Sequence, residues 1–248
     1  MVSSKTFQWS VTQNIGILAM NNGPQNLING NQFIELDTLK NWIDGEKIKG
    51  LIVTGGKRHF SSGADMNYLK QASANMQQFE KELKKCRKIL DYISSLDILT
   101  IAQISGVCFG AGLEIALSCH MRICSSRAIL AMPESNHNIM PGLTGTIRLP
   151  RLVGYNKALE MILSGNTVNA KEALKIGLVD YIAPKNELSD FTLGYITKIT
   201  QNKPLHVVKS IIQSLNNGYS LNRQDAFIHE AKMFCRLANK EFHLGYAS

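Results

Sequence analysis

The sequence predicts an α/β protein with an all-helical C-terminal region, and two patterns support this. Over about the first 190 residues, short apolar segments alternate with amphipathic segments of helical spacing, which is typical of stacked βαβ units. Beyond that point the spacing is helical only. With 248 residues and 44% hydrophobic content, the chain can form one large core and a smaller appendage. We therefore predict a core over residues 1–190 and a helical region over residues 191–248.

The first hundred residues contain three predicted strands and two predicted helices. The strands are short apolar runs bounded by turn residues, at residues 7–11, 15–20 and 50–54. The helices have apolar residues three and four positions apart, at residues 31–43 and 76–96. A Gly-rich loop is predicted over residues 55–63, and Asp65 after it suits the N-terminus of a helix.

The same alternation continues through the rest of the predicted core. Further strands are predicted at residues 99–104, 121–125, 128–132 and 178–182. Further helices are predicted at residues 110–118, 149–163 and 169–176, with a possible break at Gly154 and a loop over residues 141–146. After Pro184 the pattern is helical to the end of the sequence.

The net charge of +8 raises the question of a nucleic-acid, membrane or phosphorylated partner. Its densest part is the run of Lys81, Lys84, Lys85, Arg87 and Lys88, which has no interleaved aromatic residues. A solvated helix face is the favoured interpretation of such a run. No apolar segment approaches the roughly 18 residues of a membrane helix. We therefore predict neither a nucleic-acid partner nor membrane insertion.

The N-terminus and the cysteines predict a cytoplasmic location. The first residues contain no apolar stretch of the kind found in secretory signals. The five cysteines include no CxxC pair, and most lie in apolar segments, as expected of buried free thiols in a reducing compartment. The sequence also lacks the HExxH, GxSxG and GxxxxGK[ST] motifs, and we predict no metal site.

Two glutamates twenty residues apart are the candidate acid and base. Glu114 lies in GVCFGAGLE and Glu134 in AMPESNHNIMPG, so each is close to a Gly-containing turn. Both have apolar neighbours, where a carboxylate is costly unless it is paired or functional. A structural alternative stays open for each of them. Glu114 could face the dipole of its own helix, and Glu134 could pair with Arg148 or Arg151.

Two Gly-rich turns that precede predicted helices suggest an oxyanion hole. They are SGAD at residues 62–65 and GAG at residues 110–112. The first N–H groups of a helix have no partner within that helix, so those of Ala64 and Ala111 could both bind one carbonyl oxygen. Taken singly, each turn could instead serve close packing alone.

Five motifs, read in order, resemble those of the enoyl-CoA hydratase/isomerase (crotonase) family over nearly the whole chain. They are NNGPQNLIN at residues 21–29, FSSGAD at 60–65, ISGVCFGAGLEIALSCH at 104–120, MPE with IMPG at 132–142, and AKEALKIGLVD at 170–180. The resemblance implies a spiral of ββα units whose C-terminal helices form a homotrimer, or a dimer of trimers. It also implies chemistry on acyl thioesters without a separate cofactor, since coenzyme A or the phosphopantetheine of an acyl carrier protein is part of the substrate.

The resemblance also assigns roles to individual residues. The N–H groups of Ala64 and Ala111 would hold the thioester oxygen, and Glu114 and Glu134 match the two catalytic glutamates of the hydratases. Further residues of the same motifs are implied in substrate binding; they are Asn26, Leu27, Asp65, Met66, Pro133, Pro141 and Gly142.

The retained pair of glutamates predicts the reaction. Family members that only isomerise, decarboxylate or dehalogenate commonly lack one of the pair. We therefore predict hydration of 2-enoyl thioesters to 3-hydroxyacyl thioesters, or the reverse dehydration, in fatty acid or lipid metabolism. An enoyl-CoA isomerase and a carrier-protein-linked dehydratase of polyketide synthesis stay open. An RNA-binding homologue, which would use the lysine-rich helix, is the alternative from another class.

Three departures from the family pattern modify these expectations. Ala111 stands where a glycine is usual, which adds a methyl group near the thioester. Asn138 replaces the glycine four residues after Glu134, so we expect a narrower and more polar acyl pocket beside His137. Residues 241–248 resemble a C-terminal motif, but the tail that often follows it and helps bind the CoA nucleotide is not in this sequence. We expect either a truncated chain or a weaker hold on the adenosine, which would suit a carrier-protein donor.

Overall fold

The computed structural model describes residues 2–3, 6–184 and 186–244. Its strands, in chain order, are β1 Val2–Ser3, β2 Phe7–Thr12, β3 Ile15–Met20, β4 Gly50–Thr54, β5 His59–Ser61, β6 Leu99–Ile104, β7 Val107–Phe109, β8 Met121–Ser125, β9 Ile129–Ala131, β10 Val168–Asn169 and β11 Tyr181–Ala183. They form a seven-stranded sheet in the order β1-β2-β3-β4-β6-β8-β11 and a four-stranded sheet in the order β10-β9-β7-β5.

Ten α-helices connect and cover these strands within the described residues. They are α1 Leu36–Asp44, α2 Met66–Ala72, α3 Met76–Ser95, α4 Ala111–Leu117, α5 Gly145–Val153, α6 Tyr155–Ser164, α7 Ala170–Lys175, α8 Leu188–Thr200, α9 Leu205–Ser220 and α10 Arg223–Asn239. Short 3₁₀ helices lie at Gly30–Gln32 and Pro133–His137, and a π-helical turn at Lys240–Leu244 follows α10.

Three successive ββα units form the centre of the molecule. In each unit the first strand joins the large sheet (β4, β6, β8) and the second joins the small sheet (β5, β7, β9). Helical segments then lead to the next unit. From β3 to β11 the neighbours in the large sheet are parallel, so each unit adds one strand on the same side. The predicted α/β spiral of ββα units is therefore confirmed.

The largest core cluster is built mainly by long apolar side chains of the helices and sheets. Leu39, Ile89, Leu90, Leu113 and Leu149 are fully buried members of this cluster. The amphipathic spacing predicted for residues 76–96 accounts for α3, which buries Cys86, Ile89, Leu90 and Ile93. Asp65 caps α2 as predicted, because its side chain accepts hydrogen bonds from the N–H groups of Asn67 and Tyr68.

A second, smaller apolar cluster fixes α8 against the large sheet. Ile196 is completely buried among side chains of successive strands that include Ile52, Ile101 and Ile123. The predicted boundary between residues 190 and 191 falls within this helix. The division of the chain into two regions stays a prediction.

The helices after α8 confirm the predicted helical C-terminal region. α9 and α10 pack against each other, and α10 buries none of its residues. Several large apolar side chains on them are exposed, among them Leu215, Tyr219, Phe227 and Phe234. Residues 245–248 of the predicted C-terminal motif lie outside the described residues. Within the described ranges, no helix has both the length and the apolar content needed to cross a bilayer.

Within the described residues, the sequence-based assignment missed four short strands: the two-residue strands β1 and β10, and the three-residue strands β5 and β7. β5 lies inside the predicted loop over residues 55–63, and β7 lies between the strand predicted at residues 99–104 and the Gly-rich turn at residues 110–112. Each is only three residues long, which is too short for an alternating pattern to be visible. The register of the small sheet is what keeps them extended, since β5 pairs with β7 and β7 pairs with β9.

Other predicted elements were correct in kind but not in extent. The helix predicted at residues 31–43 begins only at Leu36, after the 3₁₀ turn capped by Asn29. The strand predicted at residues 178–182 begins at Tyr181, because the N–H groups of Leu178 and Val179 both bond back to Ala173. The loop predicted over residues 141–146 ends where α5 begins at Gly145, and the break near Gly154 is confirmed.

We expect Ile196→Ala to lower the free energy of unfolding by about 2–5 kcal/mol, because it opens a cavity between α8 and the sheet. Ile199→Ala on the same helix is the control, since Ile199 is 36% exposed and should cost about 1 kcal/mol or less. Urea unfolding at a single protein concentration measures the free energy of unfolding of both variants. Equal effects of the two changes would contradict the packing of α8 as a part of the core.

Candidate active site

Three chain segments meet where the strands of the small sheet end. Ala64 follows β5, Ala111 follows β7 and Glu134 follows β9. These strands are parallel neighbours, with Phe109 opposite Ala131 and a shift of register between β5 and β7 at His59–Ser61. Because the carboxyl ends of parallel strands lie at the same edge of a sheet, equivalent segments of the three ββα units converge there. All three residues line one cavity of about 680 Å³.

The cavity has mostly apolar walls and a few polar groups, as small-molecule sites usually have. Apolar side chains come mainly from α2 and α3 and from the segment after Glu134; they include Met66, Leu69, Phe79, Leu83, Ile139 and Met140. Tyr68 and Glu82 form a hydrogen-bonded pair on the same wall. Burial is the main cause that raises the pKa of the Tyr68 hydroxyl, so it stays a neutral donor to Glu82.

Backbone N–H groups of Ala64 and Ala111 are available at the cavity. Ala64 forms a parallel bridge with Ile28 that uses the carbonyl of Gly63 and the N–H of Asp65. This pattern leaves the N–H of Ala64 itself unused. Ala111 is the first residue of α4, whose N–H has no partner within the helix. Within the described part of the chain, neither N–H has an acceptor.

Gly110 allows Glu134 to approach the N-terminus of α4. Its φ of 48° lies in the left-handed region that disfavours residues with a Cβ. A Cβ built at Gly110 would lie 2.9 Å from Oε1 of Glu134. The glycine of this turn is therefore required both by its own conformation and by the carboxylate beside it.

Glu114 is 1% exposed, and two backbone donors hold one of its carboxylate oxygens. The N–H groups of Leu143 and Gly145 each donate to Oε1 over 2.7 Å. The sequence motif placed Glu114 on the first turn of its helix, which is correct. It gave no indication of the loop that binds the carboxylate, because Leu143 lies 29 residues away.

The loop that binds Glu114 has an unusual backbone. Thr144, between the two donors, has a φ of 85°, which is strained for a β-branched residue. A Cβ at Gly145 would lie 3.0 Å from Oε1 of Glu114 and 2.9 Å from the side chain of Pro141. This backbone shape directs two N–H groups to one oxygen atom, so the strain is located where it stabilises a buried carboxylate.

Both glutamates have raised pKa values. Burial is the main cause that raises the pKa of Glu114 to about 7, and the nearby Glu134 raises it further, while the N–H groups of Gly145 and Leu143 act in the opposite direction. Burial also raises the pKa of Glu134. Its Oε2 atom is buried and has no hydrogen-bond partner among the described residues. Such a pair can hold or release a proton near neutral pH, as acid/base catalysis requires.

The structural alternative for Glu134 is not supported. The predicted partner Arg148 instead contacts Asp91 over 2.7 Å, and no ion pair of Glu134 occurs among the described residues. His137 lines the cavity as well, whereas His59 bonds to Ser62.

The residues predicted to bind substrate divide into two groups. Six of them line the cavity; they are Ala64, Met66, Ala111, Pro133, Pro141 and Gly142. Three do not line it and have structural contacts: Asn26, Leu27 and Asp65. Asn26 is 2% exposed and bonds to the carbonyl of Phe60. Leu27 accepts a hydrogen bond from Asn22, and Asp65 caps α2. The substrate contacts of all nine residues stay predictions.

Asn138 has the backbone conformation that explains the glycine usual at its position. Its φ is 57° in the left-handed region, which asparagine tolerates better than other residues with a side chain. The replacement therefore leaves the turn after Glu134 intact. Asn138 itself is not among the residues that line the cavity, and the narrower acyl pocket stays an expectation.

The fold and the site agree with a comparison to known families. The profile described as "Enoyl-CoA hydratase/isomerase" matches residues 10–247. The chain therefore belongs to the enoyl-CoA hydratase/isomerase family.

Individual relatives support this membership. The chain is 42% identical over 144 residues, 57% of its length, to the fatty acid oxidation complex subunit alpha of Shewanella loihica, and the match covers 20% of that longer protein. The structure of DspI from Pseudomonas aeruginosa is similar with a TM-score of 0.87 and 26% identity, over 96% of this chain and 97% of that one. An enoyl-CoA hydratase from Geobacillus kaustophilus matches with a TM-score of 0.87 and 28% identity, over 96% and 90% of the two chains.

We expect the burial of Glu114 to make the protein less stable as the pH rises from about 4.5 to about 7. The folded state binds the proton more tightly than the unfolded state, whose glutamates titrate near 4.3, so stability falls through this interval and levels off above it. Glu114→Gln removes this loss, which amounts to about 3 kcal/mol.

Urea unfolding at pH 5 and pH 8 measures the effect. The stability of Glu114→Gln relative to the unchanged protein should increase between these two values. Glu160→Gln, at an exposed position on α6, is the matched control. The same relative stability of Glu114→Gln at both pH values would show that Glu114 titrates as an ordinary exposed carboxylate.

Proposed function

We propose that this protein adds water to 2-enoyl thioesters to give 3-hydroxyacyl thioesters, or catalyses the reverse dehydration. One observation carries the proposal: two glutamates whose carboxyl groups have raised pKa values and two residues with unused backbone N–H groups line the same cavity. Each of these parts has a function in such a reaction. The carboxyl groups move protons, and the N–H groups stabilise negative charge on the thioester oxygen.

The two glutamates would divide the proton transfers between them. Hydration joins the oxygen of a water molecule to C3 of the enoyl group and a proton to C2. One carboxylate takes a proton from the attacking water, and the other carboxyl group gives a proton to C2. The raised pKa of Glu114, about 7, keeps both its charged and its neutral form accessible near neutral pH.

The N–H groups of Ala64 and Ala111 would form the oxyanion hole. When water attacks C3, negative charge moves to the thioester oxygen and gives it enolate character. Two fixed donors at this oxygen stabilise that charge more than they stabilise the neutral thioester. Loss of one donor in comparable sites costs roughly 10²–10³ in rate.

The pair of glutamates favours hydration over the alternative of isomerisation. Moving a double bond within the acyl chain requires a proton to be removed and returned, for which one carboxylate suffices. Addition of water requires a group for the water in addition. Both Glu114 and Glu134 line the cavity, which supports the hydratase. An acyl-CoA is the proposed donor, in fatty acid metabolism like the relative from Shewanella loihica; an acyl carrier protein stays the alternative.

We also propose that the chain forms a homo-oligomer through its C-terminal helices, a trimer or a dimer of trimers. Exposed apolar side chains on α9 and α10 support this; Tyr219 is 73% and Phe234 70% exposed. Apolar surface of this kind commonly marks a contact between chains. Sedimentation equilibrium of the purified chain tests the stoichiometry.

RNA binding has less support than catalysis. Lys81, Lys84 and Lys88 are exposed on α3, but Lys85 pairs with Glu35. A face of exposed lysines without stacking aromatic residues is ordinary for a solvated helix. RNA affinity that falls steeply with salt would favour this alternative.

We expect Glu114→Gln and Glu134→Gln each to lower kcat for hydration of a short 2-enoyl-CoA by at least about 10²-fold, because each removes a proton-transfer group. Loss of the enoyl absorbance measures the rate, and Glu160→Gln on the exposed surface is the control. A folded variant of either residue with kcat near that of the unchanged protein would assign that glutamate a structural role.

We expect Ala64→Pro to lower kcat/KM by roughly 10²–10³-fold, because proline removes the N–H that would bind the thioester oxygen. The bridge to Ile28 does not use this N–H, so the substitution spares the hydrogen bonds of the loop. Ala64→Gly keeps the donor and should stay within about tenfold of the original rate. Circular dichroism checks the fold of both. Full activity of a folded Ala64→Pro protein would exclude this oxyanion hole.

A further inference from the structure

A single peptide group connects Arg87 to Glu114. Arg87 is on α3, and its Nε donates to the carbonyl oxygen of Gly142 over 2.8 Å. The N–H of the same peptide group belongs to Leu143 and donates to Oε1 of Glu114 over 2.7 Å. One guanidinium, one planar peptide and one carboxylate therefore form a continuous chain of hydrogen bonds.

The loop between Pro141 and Gly145 needs such contacts because its backbone is strained. Thr144 has a φ of 85°, a conformation that persists only where the surroundings impose it. On one side of Thr144, the Nε of Arg148 donates to its hydroxyl over 2.8 Å, and Arg148 is bound in turn to Asp91 on α3. On the other side, Arg87 holds the carbonyl of Gly142.

These two contacts come from one face of α3. Arg87 and Asp91 are four residues apart, which places them one helical turn from each other on the same side. The two N–H groups that bind Glu114 lie on either side of Thr144, next to the points that these contacts fix. The helix thus contacts the loop whose N–H groups bind the carboxylate.

The charge of Arg87 is not used in any other contact of the described residues. No carboxylate forms an ion pair with it there. A charged donor on a carbonyl polarises the peptide, and the N–H at its other end becomes a stronger donor. The positive charge also favours the ionised form of Glu114 directly, which is the direction of its effect on the pKa.

We propose that Arg87 is a positioning residue. It holds the Glu114 carboxylate in place and favours its ionised form through the Gly142–Leu143 peptide group. The inference rests on the role of Glu114 in the proposed function. It goes beyond that role because it assigns a task to a residue that no motif of the sequence indicated. Other charged or titratable groups at the cavity are Glu134, His137, Glu82, Lys70, Tyr68 and Cys86, and of these Glu134 acts on Glu114 by raising its pKa.

The test uses three variants of the full chain. Arg87→Met removes the donor and the charge and keeps most of the aliphatic stem. Arg87→Lys keeps a positive charge and a donor. Lys88→Met removes the neighbouring charge, which is exposed and does not line the cavity. The first readout is a ¹³C NMR titration of the glutamate carboxyl groups, in which Glu114→Gln identifies the signal of Glu114. The second is kcat and KM for hydration of a short 2-enoyl-CoA.

We expect Arg87→Met to raise the titration midpoint of Glu114 by about half a pH unit, since a partly screened positive charge is removed from its surroundings. The value of kcat should fall about 5- to 10-fold, the equivalent of one ordinary hydrogen bond, because the side chain of Arg87 is exposed to solvent, while KM stays within about twofold. Arg87→Lys should restore most of both effects, and Lys88→Met should cause neither.

Three results would overturn the inference. An unchanged midpoint of Glu114 in folded Arg87→Met would show that Arg87 does not act on this carboxylate. A rise in KM alone would make Arg87 a substrate contact. An equal shift in Lys88→Met would reduce the effect to the general field of the helix. The titration needs no substrate, so it decides the role of Arg87 even if the protein proves not to hydrate enoyl thioesters.

Discussion

The desolvation of one carboxylate, that of Glu114, determines much of the architecture around the cavity. A carboxylate at 1% exposure is tolerated only if hydrogen-bond donors replace its water. Here they are the N–H groups of Leu143 and Gly145. To present both donors to one oxygen, the backbone must turn sharply at Thr144. This strained conformation requires hydrogen bonds from Arg87 on α3 and Arg148 on α5. One buried carboxylate therefore accounts for the strained backbone at Thr144 and for the glycine that follows it. It also accounts for the arginines that hydrogen-bond to this loop.

The repeated ββα unit explains how the remaining parts reach the same place. Each unit ends a strand of the small sheet at the same edge, and the residues that follow are Ala64, Ala111 and Glu134 in three successive units. Parallel pairing fixes the spacing of these segments, so their relative position does not depend on the long helices between them. A repeated scaffold thereby brings together two backbone N–H groups and one carboxylate.

Sequence reasoning succeeded where the signal is local or continuous. The longer strands of the large sheet and the amphipathic α3 have patterns long enough to read, and the capping role of Asp65 follows from its side chain. It failed for β5 and β7, which are three residues long and extended only because of their neighbours. The motifs identified Glu114 but not its donors, because a contact across 29 residues leaves no trace in either segment alone. The predicted exposure of Arg87 on α3 is confirmed, but its contact with Gly142, 55 residues away, could not be predicted for the same reason.

Four backbone N–H groups contribute to the candidate site: those of Ala64 and Ala111, whose residues line the cavity, and those of Leu143 and Gly145, which bind Glu114. At such positions the backbone must adopt the conformation that directs its N–H group correctly. The side chain is restricted only by the space around it. Asn138 shows this: it replaces a glycine yet keeps the left-handed turn that follows Glu134. Ala111 needs no special conformation at the start of α4, so its methyl group leaves the N–H in position. A site built from backbone donors can therefore vary in sequence and retain its electrostatics, whereas the two carboxylates have no such substitute.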